Sequence, residues 1–426
     1  MTPIVSMTLM SIKRLLILIF PVSVIVDLIS GFCTVQLHTY IPIGQAYRFI
    51  IMAAIIYMLL KRARPLLAWM ILCPISFFLL ASSFWIIIHG FEPDNGFSPA
   101  IEIESFSKIL YFMLVITFFI LYREEIGLLD PLKIISNYGM IISSAVLISF
   151  LTGFGNSTYG TDYGFGSKSY FKAGNDLGLT ILYSAVVSSL YMISGFDWKR
   201  MVKLLIISSA VILIGSRVGL VGILLWLTIL VCYIVFIYRP ADRRIRRRFR
   251  HYRPIIFTCY ILSVSGVIYY LLSVFDSYML FKYTSVGLRT ARSLLTDPAE
   301  VYISKFEWYE AVFGKGMAAL YYFVAHSVRF RADYRMVEAD FHELLGGYGI
   351  IGFILILSPF VYFMFKALTR YFSHPDFTLF AILFVTGSFL AVAFTAGHCL
   401  RNPMVAPIYA YIVSQLYYGK ERPVDK

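Results

Sequence analysis

Charge is scarce in this sequence, and acidic charge scarcer still. Only 14% of the 426 residues are Asp, Glu, Lys or Arg, and 24 acidic side chains stand against 37 basic ones. Soluble globular chains carry about a quarter charged residues; the shortfall here, beside 59% hydrophobic residues, excludes that class. Cysteine is thin as well. Of the five, Cys73, Cys232 and Cys259 fall inside apolar runs, which rules out a disulfide framework. There is no P-loop, dinucleotide fingerprint, nucleophile elbow or HExxH. The His and Cys spacings fit no metal site, so neither a metal nor a cofactor is expected. A long-period internal repeat is also lacking, which argues against a transporter built from repeated halves.

What the chain has instead is apolar runs of membrane-spanning length. They predict an all-α integral membrane protein, one polytopic domain over 1–426. The expected spans are 12–30, 41–60, 66–88, 106–122, 133–151, 176–195, 202–215, 218–238, 255–275, 342–365, 377–397 and 404–418. The first is read as an uncleaved anchor, because it contains Asp27 and no small-residue cleavage site. The net charge of +13 gathers in Lys13/Arg14, Lys61/Arg62/Arg64, Lys199/Arg200/Lys203 and the run Arg239–Arg253. These segments fall on one side of the twelve-span frame. Basic loops stay in the cytoplasm, so both termini are expected there. The excess is thus a topology signal with a second use on anionic membrane lipid, not a nucleic-acid surface.

Three segments then lie outside: 89–105, which is acidic; 152–174, dense in Gly, Tyr and Ser; and a large loop over 276–341. Asn175 or Asp176 is placed to cap the helix after the second. In the third, Tyr302, Phe306, Tyr309 and Phe313 recur at helical spacing, a stripe that packs on the core or lies in the interface. The stretch from Glu338 to Gly352, EADFHELLGGYGIIG, dominates the rest. A helical reading carried back to Arg331 puts Arg331, Arg335, Glu338 and His342 on one face, and the glycines of the stretch allow close approach of another backbone. Outside residues include Arg217, Arg289, Arg292, Arg329, Arg331, Arg335 and Arg401, whose guanidinium groups suit phosphate oxygens. Arg217 interrupts an apolar region, so it needs a partner, either a ligand or a carboxylate such as Asp176. Asp27 and Arg48 read as a structural pair. His342 is the candidate general base, with Glu338 one turn away, and His398 and His326 stand behind it. The triplets Glu92-Pro93-Asp94, Glu102-Ile103-Glu104 and Glu338-Ala339-Asp340 are read as ordinary carboxylates rather than metal ligands.

These residues, in their order, resemble the O-antigen ligase and polymerase superfamily. The resemblance rests on Gly215-Ser216-Arg217-Val218-Gly219-Leu220 after a short span, an arginine-bearing loop, Phe313-Gly314-Lys315-Gly316-Met317, and Asp340-Phe341-His342-Glu343-Leu344-Leu345 leading into Tyr348-Gly349-Ile350-Ile351-Gly352. It covers about residues 170–365. It implies a C-type glycosyltransferase-like fold in the bacterial inner membrane, acting on the periplasmic face. The implied substrate is an oligosaccharide on undecaprenyl diphosphate, and the implied transfer is inverting and metal-independent. Arg217 would bind the donor diphosphate and His342 would activate the acceptor hydroxyl. Arg289, Arg292, Arg331, Arg335, Glu338 and Arg401 would contact substrate. Neither Arg289 nor Arg292 has the ligases' Arg-x-x-x-Leu spacing, which favours a polymerase making O-antigen, capsule or exopolysaccharide, with a chain-length regulator protein as partner. A ligase acting on lipid A core or protein, and a lipid-linked oligosaccharide flippase, are the alternatives.

Overall fold

The structure, a computed structural model, describes residues 3–39, 41–62, 65–89, 96–158, 166–239, 243–274, 285–329, 333–395, 397 and 399–418. Helix dominates these residues, and the sole β pairing among them is an isolated bridge between Ser157 and Ser167. Ten helices among them are long and apolar enough to cross a membrane. The protein is therefore a multi-pass, all-α membrane protein. Two of the twelve expected spans are not among the ten. The seventh is a helix of 17 residues, Trp198–Ile214. The last, Ala406–Ser414, has 9 residues and is buried throughout. Nine helical residues rise about 14 Å, half of a hydrocarbon core of about 30 Å, so its apolar character serves burial in the protein.

The chain divides into two compact units, one of Met1–Pro131 with Arg289–Tyr418, the other centred on Leu132–Leu288. The first unit begins with α1 (Pro3–Ile17) and α2 (Ser23–Val35), joined through a π turn at Leu18–Val22, then α3 (Ile43–Leu60), α4 (Pro65–His89), α5 (Pro99–Leu121) and α6 (Arg123–Gly127). Asp27 and Arg48 pair across α2 and α3 at 2.6 Å, as the sequence suggests. Helix α5 is hydrophobic all round and buried along most of its length, which is what a central helix requires. Around it Phe112, Phe360, Phe389 and Tyr409 stack with centroids 4.6–5.8 Å apart.

The second unit holds α7 (Pro131–Thr152), α8 (Gly174–Ile193), α9 (Trp198–Ile214), α10 (Arg217–Cys232) and α11 (Arg243–Val274). Ala173 precedes α8 in extended conformation, so neither Asn175 nor Asp176 is its cap: both already lie in the first turn. Between α9 and α10 the chain breaks at Gly215, whose φ of 69° is left-handed, and Ser216 restarts the helix by accepting the Gly219 N–H at 3.3 Å.

Returning to the first unit, the expected loop 276–341 contains α12 (Ser285–Ser304), α13 (Trp308–Phe313) and α14 (Met317–Ser327). The aromatic stripe does not lie on one helix, because the chain leaves helix at 305–307. Its members still pack inward: Tyr302 on Phe323, and Phe313 on Phe77 and Phe84. Then come α15 (Asp340–Ser373), α16 (Phe377–Thr395) and α17 (Ala406–Ser414).

Helix α15 is broken at Gly349, where φ is 63° and ψ −170°. The break removes the in-helix partners of carbonyls one turn earlier. The N–H groups of Lys315 and Gly316 take the Gly346 and Gly347 carbonyls instead, at 3.1 and 2.9 Å. The Trp85 indole in turn donates to the Gly314 carbonyl. Thus the two glycine motifs, Phe313–Met317 and Gly346–Gly352, are halves of one backbone contact. A Cβ on Gly349 would stand 2.5 Å from Gly314 N and Val312 O in a conformation L residues avoid. Gly349→Ala should therefore lose at least about 2 kcal/mol of stability, whereas Gly266→Ala, in open space, should be neutral or slightly stabilising. Thermal unfolding of the two variants in one detergent checks this; equal midpoints would dissolve the claim.

Candidate functional site

The start of α15 is assembled by carboxylates. Sequence spacing predicts one helical face for Arg331, Arg335, Glu338 and His342, and the structure overturns that reading. Residues 333–339 are not helical, Ala339 is extended, and Glu338 sits at a φ of 62°. The cause lies one turn later. The buried Glu343 carboxylate reaches back to accept the Val337 and Glu338 N–H groups at 3.0 and 3.3 Å, which fixes the turn. Gly397 presses on the Glu338 carbonyl so closely that a Cβ would lie 2.5 Å from it.

The same Glu343 carboxylate forms a buried ion pair with Arg401, and Arg401 donates to the Tyr321 hydroxyl. The Tyr321 carbonyl accepts the Arg335 N–H at 3.1 Å. Asp340 accepts the Cys399 and Leu400 N–H groups at 2.9 and 3.3 Å. Asn402 then turns the chain into α17 by taking the Met404 and Val405 N–H groups. Two carboxylates, three residues apart, thereby clamp the chain before α17 to the first turn of α15.

His342 stands between them. Its Nε2 lies 3.2 Å from a carboxylate oxygen of Glu300 on α12, while Nδ1 is enclosed without a hydrogen-bond partner. The ring meets its surroundings through Nε2. Glu338 is bonded to Arg335 at 2.8 Å, so the imidazole's partner is Glu300. No local pattern points to a residue 42 positions earlier in the chain. Glu343 carries a local signal, since it adjoins His342 in the Asp340–Leu345 motif. Burial raises the Tyr321 phenol above its usual range, against the lowering effect of Arg401. His326 is bonded to the Tyr322 carbonyl at 2.9 Å and stacks on that ring.

The first unit thus holds Arg335, Glu338 and Arg401 at the turn into α15, where Glu343 takes the Glu338 N–H and pairs with Arg401. Arg217 belongs to the second unit, as the first residue of α10, half-buried beside the Gly215–Ser216 break. In that unit the segment before α8 folds back on the break: Asn156 N–H bonds Ser169 at 2.7 Å, and Ser167 N–H bonds the Leu213 carbonyl at 3.0 Å. It carries Lys168, whose ammonium is pushed down by burial and donates to the Lys172 carbonyl at 3.2 Å. Arg331, His398 and the Glu92-Pro93-Asp94 triplet lie outside the described residues. So do the side chains of Arg289 and Arg292, whose backbone forms part of α12.

The remaining acidic triplets are engaged within the fold. Glu102 accepts the Ala318 N–H at 2.7 Å at the start of α14, and Glu104 pairs with Lys108 at 2.8 Å. Among the described residues no three His, Cys, Asp or Glu side chains converge as metal ligands.

The family described as O-antigen ligase like membrane protein matches residues 10–283 and 310–419. No curated protein matches the chain.

Removing one partner of a buried ion pair leaves the other charge stranded, at a cost of about 3–5 kcal/mol. Arg401→Ala should therefore lower the yield of folded, monodisperse protein in detergent and its unfolding temperature. Arg401→Met combined with Glu343→Gln should recover part of that loss, because no buried charge is left and the amide oxygen still accepts the Val337 and Glu338 N–H groups. An Arg401→Ala protein as stable as wild type would show that the clamp is dispensable.

Proposed function

Because the chain belongs to the family of O-antigen ligase like membrane proteins, we propose that it is a polysaccharide polymerase of the bacterial inner membrane. It joins oligosaccharide repeat units carried on undecaprenyl diphosphate, on the periplasmic face, into O-antigen, capsule or exopolysaccharide. The observation that carries the reading is the setting of His342. Its helix turn is fixed by two carboxylates that accept backbone N–H groups, and its Nε2 is the nitrogen that faces Glu300 while Nδ1 is enclosed.

In the proposed step an acceptor hydroxyl gives its proton to His342 Nε2 as its oxygen attacks the anomeric carbon of the donor. The bond from that carbon to the diphosphate oxygen breaks, and the diphosphate leaves with the electron pair. One displacement inverts the anomeric centre. Arg217 binds the diphosphate, helped by the positive end of α10, and the arginines Arg289, Arg292, Arg331 and Arg335 contact substrate. Guanidinium groups offset the growing charge, so the transfer proceeds without a divalent metal. Arg401, occupied by Glu343 and Tyr321, contributes by holding the site together. Glu338 holds Arg335 in place. The basic run Arg239–Arg253 and both termini face the cytoplasm. The absence of an Arg-x-x-x-Leu spacing at Arg289 and Arg292 supports a polymerase over a ligase. A chain-length regulator protein is the expected partner.

Gene deletion followed by electrophoresis of surface polysaccharide tests the assignment. A polymerase mutant keeps single repeats on the final acceptor where that acceptor is lipid A core. Loss of those single repeats with build-up of lipid-linked polymer would identify a ligase, and single units trapped on the cytoplasmic leaflet a flippase. Complementation with Arg217→Ala should restore little polymer, on the scale of about 3–4 kcal/mol for a lost transition-state donor. Arg217→Lys keeps the charge but loses the planar fork and should also fall well short of wild type. Normal polymer from a well-expressed Arg217→Ala protein would remove this arginine from the mechanism.

A further inference from the structure

The Glu300 carboxylate has a position that the proposed step leaves unused. Ala299 beside it is fully buried, and Tyr302 packs on Phe323 at 5.0 Å, so this end of α12 is fixed in the first unit. The Glu300 side chain itself is 67% exposed, and its ion-pair partner among the described residues is His342. One carboxylate oxygen stands 3.2 Å from His342 Nε2. A carboxylate only accepts hydrogen bonds, so this contact is a hydrogen bond only while Nε2 carries a proton; a neutral imidazole nitrogen that has lost its proton accepts one instead, and the carboxylate is then free for another donor. Adjacent hydroxyl oxygens on a sugar ring lie roughly one hydrogen-bond length apart, about 2.8 Å. At 3.2 Å, Nε2 and the Glu300 oxygen lie close enough together to face two neighbouring hydroxyls of one ring.

We propose that Glu300 is a specificity-determining residue that receives the hydroxyl next to the reacting one, so that the site selects acceptor sugars whose reacting hydroxyl has a free vicinal neighbour. The proposal rests on the reading of His342 as the base. On acceptor binding the reacting hydroxyl takes the place at Nε2, and the carboxylate turns to the neighbouring hydroxyl. Glu300 therefore chooses which ring position is presented to the base. A sugar lacking the neighbouring hydroxyl leaves the carboxylate without its second partner and the ring without an anchor.

The test uses purified full-length protein with lipid-linked repeat units as donor. The acceptors are short-chain lipid glycosides of the repeat's terminal sugar, intact or with one ring hydroxyl at a time replaced by hydrogen. Wild type should use the glycoside lacking the hydroxyl beside the linkage position about tenfold less well in kcat/KM, the lower range for a hydrogen bond to a charged group. Glu300→Ala, at an exposed helix position, should lose about that factor on the intact acceptor and nothing further on the deoxy acceptor. Glu300→Gln, which keeps an accepting oxygen, should retain part of the discrimination. Equal use of both acceptors by wild type would overturn the proposal. So would a Glu300→Ala protein that loses the same factor on both, which is the mark of a structural role. Absence of product with every acceptor would overturn the transferase reading and the proposal together, an outcome distinct from either.

Discussion

A single buried carboxylate sets the geometry of the first unit's polar end. Glu343 lies in an environment where an unpaired charge costs several kcal/mol, and it is tolerated because every direction is used. Its partners are Arg401 and the N–H groups of Val337 and Glu338. Satisfying that group dictates much else. The chain before α15 must turn, which is why Glu338 adopts a left-handed backbone, and the segment before α17 must come close enough to supply Arg401. His342 is held in the turn between Asp340 and Glu343, both engaged with the backbone of other segments. A side chain on so constrained a turn is pre-positioned, as a reacting group has to be.

A second constraint comes from the membrane. Backbone carbonyls freed within a lipid-embedded helix need partners from the protein. The break at Gly349 frees those of Gly346 and Gly347, and the glycine turn Gly314–Gly316 supplies the N–H groups. This contact ties α13 and α14 to α15. It also brings Lys315 to Glu310, at 2.6 Å, and within 5.7 Å of the Tyr302 ring on α12. The helix that carries Glu300 is thus connected, through packing, to the helix that carries His342. The interrupted helix and the segment containing α12 form one construction, which explains why both glycine motifs accompany the histidine in the same chain.

The sequence made the helical spans legible because their signal is bulk hydrophobicity over about 20 residues, which needs no knowledge of partners. It failed at α17, where the same apolar character meant burial among helices. The Gly215–Ser216 break and the Asp27–Arg48 pair were readable too, since a glycine beside a capping serine and opposite charges on adjacent spans are local signals. The face predicted for Arg331, Arg335, Glu338 and His342 does not form, because helical spacing assumes a helix and Glu343 captures N–H groups from the residues before it. Glu300 was invisible for a different reason. Its contact with His342 depends on how α12 packs, and no spacing rule spans such a separation. The expectation that the glycines allow a close backbone approach was right in kind, but the approaching backbone is a glycine turn rather than another spanning helix.

The proposed transfer requires His342 to take the acceptor's proton. A positioned base contributes roughly 100- to 10,000-fold, whereas the loss of a merely structural polar residue lowers the amount of folded protein and leaves the turnover of each molecule intact. The direct measurement is polymerisation of lipid-linked repeat units, in excess chelator, by equal amounts of folded wild-type and His342→Ala protein prepared in the same detergent. Wild type should yield polymer, and the variant should fall by at least about 100-fold in specific activity. A fall of less than about threefold, far below that range, would show that the histidine is structural and that the proton is taken by another residue.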